Sequence, residues 1–173
     1  MAIILGIDPG SRITGYGVIQ ADKKQHKYLA SGVIRLGEAD TAEKLGRIFT
    51  ELKGIIQTYK PEQVAVEQIF MHVNANAAIK LGQARGAAIV AAADFNLPVA
   101  EYSARQIKQS VVGYGAADKS QMQHMVKLLL QLSGMPAVDS ADALAVALCH
   151  ANTQQSLAGM GGQAYALRRG RLR

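Results

Sequence analysis

The stretch Ile3-Ile4-Leu5-Gly6-Ile7-Asp8-Pro9-Gly10 decides how this chain is read. An apolar run stops at an acid, a proline and a glycine, the pattern of a buried strand that ends in a turn. Working outward, residues 14–19 and 28–36 read as two further strands, parted by the polar residues 22–27. Three strands in such close succession predict an antiparallel meander. Residues 41–59 then repeat Leu45, Ile48, Phe49, Leu52, Ile55 and Ile56 at helical spacing, and Pro61 marks the end of that helix.

The pattern now alternates. A short strand at 63–66 leads into Glu67, an alanine- and glycine-rich helix spans 74–93, and a strand covers 97–100. A helical turn or two is expected over 103–111. A helix capped by Asp118 runs to Leu132, with Met122, Met125, Val126, Leu129 and Leu130 on one face. After the break at residues 133–136, a final helix starts near Asp139 and runs to about Asn152. Three strands followed by helix–strand units predict an α/β domain over residues 1–152: a mixed β-sheet, meander on one side and parallel strands on the other, flanked by helices. Residues 153–173 are expected to form a flexible basic tail.

Composition narrows the class. Hydrophobic residues make up 49% of the 173 and charged residues 18%, as in an ordinary globular protein. A single cysteine, Cys149, excludes an internal disulfide framework and suits a reducing cytoplasm. Neither an export signal nor a membrane-length apolar run is legible. The net charge of +6 favours an anionic partner such as nucleic acid. Four of those six charges come from Arg168, Arg169, Arg171 and Arg173 in an acid-free tail, leaving +2 on residues 1–152. The body must therefore concentrate its bases on one face to hold a polyanion.

Asp8 and Glu67 each follow a strand, and ligands of such sheets gather at the carboxyl ends of strands. Asp139 and Asp142 open the last helix on one face, about 5–6 Å apart at Cβ. If that helix crosses the ends of the first strands, the four acids converge and repel unless a cation neutralises them. Oxygen donors without His or Cys partners suit Mg²⁺ or Mn²⁺ rather than zinc. Two such ions about 3.5–4 Å apart can drive phosphodiester hydrolysis. Plainer readings stand beside this one. Asp8-Pro9-Gly10 can be a simple turn, and Asp139 with Asp142 is also what a capped helix start looks like. Glu67 resists such a reading, because it interrupts the apolar string Val64-Ala65-Val66 before Ile69 and Phe70. Periodicity alone does not establish that the four meet.

Residues 4–18, 65–70 (Ala-Val-Glu-Gln-Ile-Phe), 80–86, 104–108, 112–115, 119–121 and 139–145 (Asp-Ser-Ala-Asp-Ala-Leu-Ala) resemble, in order and spacing, the motifs of the RuvC family of Holliday junction resolvases. The resemblance spans about residues 1–150. It implies an RNase H-like fold and a homodimer that nicks two symmetric strands of four-way junction DNA with Mg²⁺, in recombination and repair alongside the branch-migration proteins RuvA and RuvB. It places the catalytic, metal-binding acids at Asp8, Glu67, Asp139 and Asp142.

Around those acids, the family pattern makes Phe70 a wedge at the crossover, against its reading as a core phenylalanine. Lys108 and Lys119 are candidate phosphate contacts, and Arg12, Arg85 and Arg105 are weaker ones. His26, His72, His124 and His150 lack zinc-like spacing and carry no assignment. Two relatives of the fold compete. An ATP-binding phosphate loop of the actin and sugar-kinase group needs two lobes, which 173 residues do not supply. A ribosomal-RNA maturation nuclease would not carry the 67–70 and 139–142 blocks together. A junction-binding module without catalysis would keep four acids facing phosphate for no gain.

Overall fold

The computed structural model describes residues 1–23, 25–69 and 75–159. The strands β1 (Ala2–Asp8), β2 (Ile13–Ala21) and β3 (Lys27–Arg35) form the meander, followed by α1 (Thr41–Tyr59), β4 (Gln63–Glu67), α2 (Ala75–Ala93) and β5 (Val99–Tyr102). Helices α3 (Ala104–Val112), α4 (Lys119–Leu129) and α5 (Val138–Gly159) complete the described residues. The sheet order is β3-β2-β1-β4-β5. β1 pairs antiparallel with β2 and parallel with β4, and β4 runs parallel to β5. Asp8 and Glu67 therefore finish neighbouring parallel strands at the same end of the sheet. The expected α/β mixed sheet is the one observed.

Two apolar layers cover the sheet. One face packs Leu5, Ile7, Val64 and Val66 against Ile48, Leu52 and Ile56 of α1 and the buried alanines of α2. The other holds Ile4, Ile19 and Ala65 against α5, with Ile107 of α3 and Met122 and Val126 of α4 behind it. Helix α5 is apolar nearly all round and buried from Ser140 to Ala151 except at Asp142, as befits a central helix. Local chemistry sets the ends of the other helices. Asp40 caps α1, whose last residue is followed by Lys60 in the left-handed region, while Ser103 and Asp118 begin α3 and α4 with reciprocal capping boxes. No helix among the described residues is long and apolar enough to cross a membrane.

Several boundaries differ from expectation, and α4 ends at Leu129 rather than at Leu132. β5 lies two residues further on, because it is positioned by its ladder to β4, where Val64 pairs with Val99 and Glu67 with Tyr102. α3 is a helix of nine residues, where a turn or two was expected. α5 continues past Asn152 to Gly159, so the boundary read at 152 falls inside a helix. Gln155 there donates to the carbonyl of Asp22 at 2.8 Å, which anchors the extra turns.

Candidate active site

The turn after β1 is closed by Thr14, wholly buried, whose hydroxyl donates to the Gly10 carbonyl at 3.3 Å and accepts from the Gly10 N–H at 3.4 Å. This holds the Asp8 end of β1 against the start of β2. Directly across the ladder from Asp8 stands Gly15. The first turn of α5 lies on that glycine so closely that a Cβ there would sit 2.2 Å from the Asp139 carbonyl oxygen. A Cβ at Gly6 would likewise meet the Ala143 carbonyl oxygen at 2.3 Å. Two strand residues without side chains thus let the helix axis approach the sheet and carry Asp139 and Asp142 to the ends of β1 and β4.

Asp8, Glu67 and Asp142 line one pocket of about 320 Å³, together with Lys108, Lys119 and the side chains of Ala104, Ile107 and Met122. Asp139 is outside the pocket wall, but its charge acts on both Asp8 and Asp142. The four acids read from the sequence are therefore gathered by three elements that are far apart in the chain. Lys119 Nζ stands 3.6 Å from Asp142 Oδ2, and Lys119 is mostly exposed, so its ammonium group can also reach a ligand.

Electrostatics separate these acids from ordinary surface carboxylates. Burial, reinforced by Glu67 and Asp142, pushes Asp8 up to about 8. Burial and Asp142 push Glu67 up to about 7, against the pull of Lys108 and Lys119. Asp142 is also raised by burial, with Lys119 opposing. Burial leads each shift and the neighbouring acids add to it, so the ionised cluster is left short of compensating positive charge. A divalent cation fits that deficit, and carboxylate oxygens are the donor set a hard dication prefers. The fit is one of charge and donor chemistry: among the described residues, no three such side chains close around one point as a finished ligand cage.

These shifts predict a pH-dependent stability. A carboxyl raised in the folded state holds its proton more tightly folded than unfolded, so between its unfolded and folded values stability falls as pH rises. Burial lowers His150 to about 4, which acts in the opposite direction below its ordinary value of 6.5. The window to examine is therefore pH 6.5 to 8. With metal chelated, stability should fall there by on the order of 1–2 kcal/mol, after discounting for partial solvent exposure. That corresponds to roughly 2–8 °C in melting temperature for a chain of this size. Mg²⁺ should raise the melting temperature more at pH 8 than at pH 6.5. A chelated protein whose melting temperature is level across this window would show that burial and the neighbouring acids do not hold these carboxyls raised.

The remaining candidates divide. Arg12 and Arg105 are exposed and do not line the pocket, and the stem of Arg105 lies over Gly115. Arg85 belongs elsewhere: its guanidinium on α2 donates to Glu101 of β5, an ion pair on the edge strand that engages it within the fold. Phe70 lies outside the described residues, as do His72 and the arginines at 168, 169, 171 and 173. Sequence reading missed the apolar floor of Ile107 and Met122, which looks like ordinary helix packing until α3 and α4 meet α5. It also left His150 unassigned. A histidine directly after the run Ala143-Leu144-Ala145-Val146-Ala147-Leu148-Cys149 needs polar partners once buried, and that was the available signal.

A family model for the crossover junction endodeoxyribonuclease RuvC matches residues 4–150. The protein of that name from Pseudoalteromonas atlantica is 61% identical over 173 residues, and the one from Tolumonas auensis 59%, each alignment covering the whole of both chains. Among solved structures, Thermus thermophilus RuvC in complex with a Holliday junction substrate gives a TM-score of 0.84 at 34% identity, over 90% of this chain and 96% of that one. A yeast mitochondrial Holliday junction resolvase, 14% identical with a TM-score of 0.63, shares the fold alone. Match by family model, by relatives aligned from end to end and by fold agrees, and the chain belongs to the RuvC family of crossover junction endodeoxyribonucleases, which are metal-dependent nucleases of RNase H-like fold.

Proposed function

We propose that this chain resolves four-way DNA junctions, hydrolysing one phosphodiester in each of two symmetric strands with Asp8, Glu67, Asp139 and Asp142 as the catalytic and metal-binding residues. The observation that carries this reading is the meeting of acids from β1, β4 and α5 beside Lys108 and Lys119, in a chain of this family. Mg²⁺ is the working ion in this proposal, two per site, with Mn²⁺ able to replace it. Bound there, such ions supply Lewis acidity to the scissile phosphate and its attacking water.

The chain's own residues do the rest. Once ionised, the four acids repel phosphate, and a bound cation would neutralise them and admit it. Lys108 and Lys119, on the α3–α4 side, offset charge that builds on the phosphorus centre and orient the strand. Arg12 and Arg105 extend the basic surface along the DNA backbone. The tail arginines add contacts that depend on salt and not on DNA structure. Two symmetric cuts need two pockets, so the working unit is a homodimer. It acts in the cytoplasm on junctions delivered by RuvA and RuvB.

The decisive assay incubates pure protein with a labelled mobile four-way junction in Mg²⁺, in Mn²⁺ and in EDTA. Paired symmetric nicks that require metal are the expected result. Binding without cutting, or cleavage of RNA alone, overturns the reading.

Phe70 enters the proposal as the wedge that opens base pairs at the crossover. Phe70→Ala should bind junctions within about twofold of wild type, since no charge is removed. It should cut them roughly tenfold or more slowly and recover on a junction already unpaired at its centre. An equal loss on both substrates would return Phe70 to a structural role.

A further inference from the structure

The glycine seats at Gly6 and Gly15 set how near α5 comes to the sheet, but not how far along it the helix lies. Most of its buried surface is Ala, Val and Leu, and such contacts have little direction. One polar residue in this run makes directional contacts with two strands. His150, 3% exposed, accepts from the Tyr102 hydroxyl at Nδ1, 2.8 Å away, and donates from Nε2 to Gln63 Oε1 at 2.7 Å. With both nitrogens engaged, the ring keeps one neutral tautomer, consistent with the downward push that burial gives it.

The partners are tied to the site. Gln63 begins β4, whose last residue is Glu67. Tyr102 is the ladder partner of Glu67, and its carbonyl accepts the N–H of Gln68 at 2.8 Å. On the helix side, His150 follows Asp142 by eight residues, roughly 12 Å along the axis. One imidazole thus joins the helix bearing Asp139 and Asp142 to the strands that present Glu67. Slipping α5 by a turn would strip the buried ring of both partners, which is costly in an apolar core.

We propose that Tyr102, His150 and Gln63 are positioning residues, a buried polar pin that sets the axial register of α5 so that Asp139 and Asp142 meet Asp8 and Glu67. The inference rests on the four-carboxylate reading of the site. It predicts that loss of one hydrogen bond outside the pocket lining costs reaction rate without costing DNA affinity.

The test uses the full chain with Tyr102→Phe, Gln63→Leu, His150→Leu and the Tyr102→Phe/His150→Leu pair, each assayed well below its own melting temperature. Single-turnover cleavage at saturating protein should fall roughly tenfold for Tyr102→Phe and for His150→Leu, with junction affinity in EDTA within about twofold of wild type. The pair should be no slower than the worse single change, because both break one pin. The affinity for Mn²⁺ without DNA, read from the resonance of the free ion, should weaken about threefold or more. Ile48→Val, on the other face of the sheet, lowers stability without touching the pin and should cut at the wild-type rate. Should His150→Leu fail to fold, Tyr102→Phe and Gln63→Leu with their pair decide the matter by the same criteria. Wild-type rates in the folded pin variants, fully additive losses, or an equal loss in Ile48→Val overturn the proposal. A wild-type protein that neither binds Mn²⁺ nor cuts junctions would instead overturn the four-carboxylate reading itself.

Discussion

Asp8→Asn, Glu67→Gln, Asp139→Asn and Asp142→Asn should each slow junction cleavage in Mg²⁺ by on the order of 10³-fold, about 4 kcal/mol of barrier, while junction binding in EDTA is unchanged or tighter. Binding survives because removing a negative charge beside phosphate cannot weaken attraction to it. Cleavage fails because an amide keeps the shape of the side chain but not its charge, and the charge is what attracts a dication. The loss would not come from unfolding. Asp8 carries the largest upward shift of the cluster, caused by burial and by the neighbouring acids. Neutralising it should therefore raise the melting temperature of the metal-free protein at pH 8, even as activity disappears. Single-turnover rates, filter binding and thermal melting of the same preparations check all three parts. Cleavage at wild-type rate by any one of these variants would remove that acid from the site.

The second large effect is expected at a residue with no side chain. Gly15→Ala adds one methyl group, 2.2 Å from the Asp139 carbonyl oxygen and 2.9 Å from its carbonyl carbon. Both obstructing atoms are backbone, so no rotamer change relieves the clash. The first turn of α5 must lift away from β2 directly opposite Asp8. Overpacking of this kind costs roughly 1–3 kcal/mol of stability. A displacement near 1 Å between the two pairs of acids should cost cleavage about 10²-fold, more than the stability loss alone explains. Gly46→Ala is the control. It lies in α1 with nothing within 4 Å of the added Cβ, so it should stabilise the helix slightly and leave cleavage unchanged. Equal activity in the two alanine variants would show that the close approach at Gly15 has no part in assembling the site.

These predictions draw on features that differ in how visible they were in the chain. The strand ending at Asp8 and the helix at 41–59 were legible because their signals are local. An apolar run closed by Asp-Pro-Gly, a helical repeat closed before Pro61, and the cap at Asp118 all act within a few residues. The placement of β5 was less so. The apolar string Leu97-Pro98-Val99-Ala100 encodes burial but not pairing partners, and the strand starts where the Pro98 carbonyl accepts the Val64 N–H.

Residue types and order determined, without any structure, that this is an α/β chain whose acids at 8 and 67 end strands and whose acids at 139 and 142 share one turn of a helix. Whether those acids form a site depended on how far α5 sits from the sheet and where along it. The distance is set by the missing Cβ atoms at Gly6 and Gly15, and the register, in our proposal, by the hydrogen bonds of His150 to Tyr102 and Gln63. Contacts between residues 48 to 141 positions apart in the chain leave no periodic trace in it. The same holds for the ion pair of Arg85 with Glu101, which no local pattern in the sequence announces. Local propensity is a property of neighbours along the chain. Convergence of charge is a property of packing, and only the folded protein sets it.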